Sequence, residues 1–223
     1  MSSRVNAAGA GLLAVAVLIG EPTEAAAQDP SPTEQGEAAS SPGPSWSGSA
    51  SVAGYFVPED SNYLQPTVSV DRGWLHLEAR YNYEAQQTAS FWAGVNFEAG
   101  ERVTLALTPM FGIVTGDTDG VAPGLLVTLA TWKLELYSEA EWVVDTAETS
   151  GSFFYNWSEL TLQPVEWFRF GLVTQRTRAY QSDRDIQRGL LGGVMWRNAS
   201  FTGHVFEPFS DQPTVVVSVA IEF

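Results

Sequence analysis

The chain has no cysteine among its 223 residues. That removes disulfide scaffolds, thiolate metal sites and lipid attachment to an N-terminal cysteine. Basic residues are scarce: 11 Lys and Arg stand against 26 Asp and Glu, for a formal net charge of -15. Nucleic-acid binding needs a basic footprint, so that partner class is excluded. Long apolar runs are missing as well. Outside one short stretch near the amino terminus, nothing approaches the ~20 residues of a transmembrane helix. No segment shows the 3.6-residue apolar stripe of an amphipathic helix. The mature chain is therefore either soluble or enters a membrane as strands.

What is present falls into three parts. Residues 1–27 read as a secretory signal peptide, with Arg4 as the positive start, the run AAGAGLLAVAVLIG at 7–20 and Ala25-Ala26-Ala27 as a small-residue cleavage site. Residues 28–45, QDPSPTEQGEAASSPGPS, are rich in Pro, Ser, Gly and Glu. Such a leader cannot bury enough apolar surface to order itself. From Trp46 to Phe223 the chain is strand after strand.

Period-2 alternation predicts about twelve strands. They fall at 48–58, 63–71, 74–84, 89–98, 102–114, 122–131, 133–144, 152–163, 166–177, 187–196, 199–208 and 213–223. The connections alternate in length. Tight ones are DRG at 71–73, EAGE at 98–101, TWK at 131–133, QPVE at 163–166 and WRN at 196–198. Longer ones are TGDTDGVAPG at 115–124, DTAETSGS at 145–152, RTRAYQSDRDIQ at 176–187 and EPFSDQP at 207–213.

Each strand has one apolar and one polar face. On 133–144, Leu134, Leu136, Ala140, Trp142 and Val144 oppose Lys133, Glu135, Tyr137, Glu139 and Glu141. On 74–84, Leu75, Leu77, Ala79, Tyr81 and Tyr83 oppose His76, Glu78, Arg80 and Asn82. Periodicity alone leaves two arrangements open. The apolar face is the core of a soluble sheet, or it meets lipid around a polar lumen.

Aromatic placement favours lipid. Trp74, Trp132, Trp167 and Trp196 sit at tight turns, while Tyr81, Tyr83, Phe91, Trp142, Phe153, Phe154 and Tyr155 lie near the other end. Two girdles are what a membrane barrel places at its interfaces. The last strand, TVVVSVAIEF at 214–223, alternates Val215, Val217, Val219 and Ile221 and closes on Phe223. It resembles the C-terminal signature of bacterial outer-membrane β-barrel proteins. The resemblance covers 46–223 and is to the broad class. It implies an all-β transmembrane antiparallel barrel of about twelve strands, with short periplasmic turns and longer extracellular loops. It also implies that Phe223 is an assembly signal read by the barrel-assembly machinery, and that outer-membrane lipid and lipopolysaccharide surround the protein.

On that arrangement the lumen receives His76, Glu78, Arg80, Glu135, Glu139, Glu141, Glu159, Arg169 and His204, together with Asp71, Arg102, Lys133 and Glu222. Interior charges must be solvated or paired. Either they form a salt-bridge network that fills the barrel, or they line a narrow pore whose acidic excess admits small cationic or neutral solutes. A closed surface-interaction barrel using its outer loops is the alternative function. No catalysis is expected: His76 in WLHLEARY and His204 in TGHVFEP do not resemble a lipid-hydrolase site. Nothing implies a cofactor. Asp117 and Asp119 in GDTDG have a spacing that can hold calcium, but the rest of a calcium loop is missing. Arg176, Arg178, Arg184 and Arg188 are expected in an extracellular loop, where they could grip lipopolysaccharide phosphates. The sequons at Asn156 and Asn198 fall in or beside strands and carry no expectation of use.

Overall fold

A computed structural model describes residues 44–58, 60–147, 151–177 and 185–223. The expected signal peptide and nearly all of the leader lie outside the described residues. Thirteen strands follow in chain order. They are β1 (Trp46–Phe56), β2 (Tyr63–Arg72), β3 (Leu75–Tyr81), β4 (Thr88–Val95), β5 (Phe97–Ala99), β6 (Val103–Gly116) and β7 (Gly120–Thr131). After these come β8 (Leu134–Asp145), β9 (Phe153–Val165), β10 (Phe168–Thr177), β11 (Asp185–Trp196), β12 (Ala199–Phe206) and β13 (Thr214–Glu222).

Apart from β4 and β5, every pair of neighbours in sequence pairs antiparallel, β1 pairs with β13, and β4 pairs with β6. The sheet is thus a closed ring without an open edge, as a strand-built membrane wall requires. Strands β4 and β5 are one wall strand. Gly94 opposes Met110 and Phe97 opposes Leu107 in the same register. The barrel therefore has twelve wall strands, as the alternation predicts.

The tight hairpins owe their shape to residues in the left-handed region. Gly73 (φ 60°), Trp132 (φ 47°) and Arg197 (φ 58°) each open a two-residue turn. That conformation matches the right-handed twist of the flanking strands. Two connections differ from expectation. β6 runs on to Gly116 and β7 begins at Gly120, so the expected loop at 115–124 shrinks to three residues. β10 and β11 extend to Thr177 and Asp185. Arg176 and Arg188 are consequently strand residues and not loop residues, while Arg178 and Arg184 lie outside the described residues. In both cases strand pairing continues into polar sequence, because backbone hydrogen bonds are made whatever the side chain.

The faces resolve the choice that periodicity leaves open. Leu64, Val68, Leu77, Phe91, Ile113, Leu136, Leu172 and Val219 are exposed, on strands all round the barrel. Gln65, Ser69, His76, Glu78, Thr108 and Glu139 are buried inside it. The apolar belt is outside and the polar groups are inside, the reverse of a soluble sheet and the pattern of a membrane barrel. Trp46, Trp74, Trp132, Trp167 and Trp196 ring the short-turn end and are all exposed, Trp132 at 84% and Trp196 at 76%. Among the described residues no helix is long and apolar enough to cross a membrane.

Candidate functional site

The interior charges gather on a few strands because inward positions recur every second residue. On β3 those positions are His76, Glu78 and Arg80; on β8 they are Glu135, Tyr137, Glu139 and Glu141. Closure of the ring brings β3 opposite β8 across the lumen. Arg80 Nε donates to Glu78 Oε1 at 2.6 Å on its own strand. Its Nη1 reaches Glu139 Oε1 at 2.7 Å and also pairs with Glu141, 61 residues away in sequence. The same nitrogen lies 3.6 Å from Glu84 Oε1. One guanidinium thus bridges the barrel and holds four carboxylates.

Neighbouring groups extend the bridge. His76 sits between Asp71 Oδ1 at 2.9 Å and Glu78 Oε2 at 3.2 Å. Carboxylates on both ring nitrogens suit the imidazolium, which donates from both. Asn96 Nδ2 donates to the same Asp71 oxygen at 2.6 Å, and Thr108 Oγ1 donates to Asn96 Oδ1 at 2.6 Å. Tyr83 and Tyr137 both donate to Glu139 Oε2, at 2.7 and 3.1 Å. Asp71, Glu78, Glu84, Glu139 and Glu141 are thus gathered about Arg80 and His76, and the cluster is acid-rich.

Trp92 packs this assembly onto the wall. Its indole lies over β6 and β7, where a Cβ on Gly112 would come within 2.5 Å of Trp92 Cδ2 and one on Gly124 within 2.9 Å of Cζ3. The indole is also 4.8 Å from the Arg80 guanidinium, with Tyr83 on that group at 4.3 Å. Trp92 Nε1 donates to Glu84 Oε1 at 3.2 Å.

A second cluster stands on β9, β10 and β12. Glu159 Oε1 lies 2.9 Å from His204 Nε2 and accepts from Trp157 Nε1 at 3.0 Å. Arg169 Nη1 is 3.9 Å from Glu159 Oε2, and Arg169 Nη2 donates to Thr202 Oγ1 at 3.2 Å. All nine lumen residues expected from alternation point inward. Arg80, Glu78, His76, Glu139 and Glu141 form one group, Glu159, Arg169 and His204 another, and Glu135 is half-buried near the short-turn end. Arg102 and Glu222 are exposed at the short-turn rim, outside the lumen.

Three aromatics assigned to the outer girdle belong inside. Phe153 and Tyr155 are buried, on the same face of β9 as Glu159. Extending the parity of Glu159 along that strand would have found them. Tyr83 lies beyond the end of β3 at Tyr81; Asn82, at φ 57°, turns the chain so that Tyr83 and Glu84 fold into the lumen. No local signal marks that inward turn. Tyr81, Phe91 and Trp142 are exposed as expected.

The remaining candidates make local contacts. Asp119 Oδ1 accepts from Thr115 Oγ1 at 2.9 Å and from Gly116 N at 3.3 Å, bracing its own turn. Asp117 Oδ2 accepts from Gln87 Nε2 at 3.4 Å. Among the described residues no group of three or more His, Asp or Glu is placed to hold a metal ion. Arg176 and Arg188 share the outward face of adjacent strands, and the Arg176 guanidinium stands 5.1 Å from the Phe154 ring.

No family model matches the chain, and no curated protein does. Solved structures do. A structure of the KdgM porin superposes with a TM-score of 0.57 at 14% identity, covering 78% of this chain and 99% of the porin. The KdgM porin in complex with disordered oligogalacturonate superposes at 0.58, also with 14% identity and the same coverage. The outer membrane protein OpdK from Pseudomonas aeruginosa gives a TM-score of 0.43 at 8% identity, over 77% of this chain and 61% of OpdK. The chain has the porin fold. It is a closed twelve-stranded antiparallel barrel of the outer-membrane type.

Proposed function

We propose that the protein is a small pore of the bacterial outer membrane that admits small cationic or uncharged solutes. The observation that carries this reading is the set of carboxylates about Arg80, which spans the lumen between β3 and β8. A passing anion meets that negative field inside a low-dielectric wall, whereas a cation is attracted by it. The KdgM porin was solved with oligogalacturonate, a polyanion. The acidic interior of this chain argues against such a cargo here.

The outer surface supports the same setting. The tryptophan ring marks one lipid interface. Arg176 and Arg188 point outward near the other rim, where lipopolysaccharide phosphates would lie. Phe223 is the residue that the assembly machinery would engage.

The test is single-channel conductance of refolded protein in a planar bilayer, with heat-dependent gel mobility as the folding control. Discrete steps with a cation-selective reversal potential are expected, and E139Q/E141Q should reduce that selectivity. Folded, inserted and silent protein overturns the pore. It would favour a closed barrel locked by the Arg80 bridge, with function in the outer loops.

A further inference from the structure

Apart from the Arg80 bridge, the interior contains a cavity of about 30 Å3. That exceeds the roughly 10–15 Å3 needed to seat one water, and it suits the head of a small molecule. Its walls include Tyr55, Tyr83, Tyr155, Trp157 and His204, facing short polar side chains of β1 and β2.

The rings are held in place. Tyr55 stacks on Tyr63 at 4.6 Å, Tyr83 meets Tyr155 edge-on at 5.4 Å, and Trp157 meets His204 edge-on at 5.2 Å. Carboxylates stand behind them. Tyr83 donates to Glu139, and Trp157 donates to Glu159. Among the described residues no Lys or Arg lines the cavity. His204 is almost wholly buried and its Nδ1 has no hydrogen-bond partner. Its Nε2 faces Glu159 Oε1 at 2.9 Å. Aromatic rings backed by negative charge, facing the side-chain oxygens of Ser51, Gln65 and Thr67, form a receptor for a cation that carries N–H donors. The same interior already uses this chemistry, since the Arg80 guanidinium lies against Tyr83 and Trp92.

We propose that this cavity binds a small organic ammonium ion, seated among Tyr55, Tyr83, Tyr155 and Trp157. The proposal deepens the cation-admitting reading of the lumen and rests on it for access from solvent. A metal ion suits the site poorly, because among the described residues no carboxylate lines the cavity to supply the charged oxygen ligands that hard cations favour. An anion would face Glu139 and Glu159.

The experiment is titration calorimetry on the refolded full chain in detergent micelles, with folding checked by heat-dependent mobility. Ethylammonium chloride is the probe and ethanol its uncharged counterpart. Saturable binding of ethylammonium and none of ethanol is expected. Tyr155→Leu should weaken binding about tenfold, and Tyr155→Phe, which keeps the ring, should bind within about twofold of wild type. Folded wild type without saturable ethylammonium binding overturns the proposal, as does equal binding of ethanol or an unchanged Tyr155→Leu variant. The ethylammonium–ethanol comparison needs no variant, so a misfolded mutant cannot hide the answer. Conductance without binding removes this site and leaves the pore standing. Binding without conductance keeps the site and removes the pore.

Discussion

The ring of Phe223 lies on Gly48. The two residues exchange backbone hydrogen bonds of 2.7 and 2.9 Å across the β1–β13 seam. A Cβ on Gly48 would stand 2.7 Å from Phe223 Cε2 and 2.9 Å from Ser69 O. The glycine is a seat for the aromatic at the point where the barrel closes. Gly48→Val should displace the ring and cost about 1–3 kcal/mol, as overpacking does. Gly48→Ala should cost less. The urea midpoint of the heat-modifiable gel band measures both, and a Gly48→Val midpoint equal to wild type would refute the seat.

Removing Arg80 should be severe. Its guanidinium is the one permanent cation among Glu78, Glu84, Glu139 and Glu141 in the described contacts. Arg80→Met leaves Glu84, Glu139 and Glu141 without their cationic partner, a loss of about 3–5 kcal/mol for a buried pair broken on one side. Adding E139Q and E141Q to that variant should recover part of the loss. Folding yield into liposomes, read from the compact gel band, decides the outcome. Recovery in the triple variant is the result that separates charge from packing.

Glu84 gives a pH signature. Burial holds its carboxyl above the usual carboxylate range, while Arg80 pulls it down. A carboxyl raised on folding favours the protonated folded state. Its contribution is complete below the ordinary value of about 4.3 and is lost as pH rises through the raised one. Glu84→Gln should therefore flatten the decline in urea midpoint on going from acid to neutral pH. An unchanged pH slope would show that Glu84 is ionised at little cost.

The tryptophan ring fixes depth. Trp132 and Trp196 are the most exposed of the short-turn indoles. Quenchers carried at the headgroup level of a lipid should reduce their emission more than quenchers placed at the bilayer centre. Single-tryptophan variants keeping Trp132 or Trp196 are the samples to use, with Trp92 alone as an interior control that neither quencher reaches well. Stronger quenching from the bilayer centre would move the membrane belt away from the position the girdle marks.

Alternation made much of this legible. Inward positions on β3, β8, β9, β10 and β12 follow from parity, so His76, Glu78, Arg80, Glu139, Glu141, Glu159, Arg169 and His204 could be named before any fold was drawn. Parity fails where a strand stops. Continuing β3 beyond Tyr81 places Tyr83 outward, yet the left-handed Asn82 redirects the chain inward. The polar stretch from Arg176 predicts a loop, yet backbone pairing carries β10 through Arg176. Asp119 reads as a cation ligand from spacing alone, while its oxygen is already engaged by Thr115 and Gly116.

The sequence by itself determined the strands, their two faces and the acidity of one face, because alternation and charge are local and additive along the chain. Only the tertiary structure decided which face is inside and which acids meet which cation. Pairing of β4 with β6 closes the ring, and that closure carries Arg80 to Glu139 and Glu141 across the lumen. Contacts of that kind depend on the number and tilt of all the strands together, a global property that no local pattern of residues encodes.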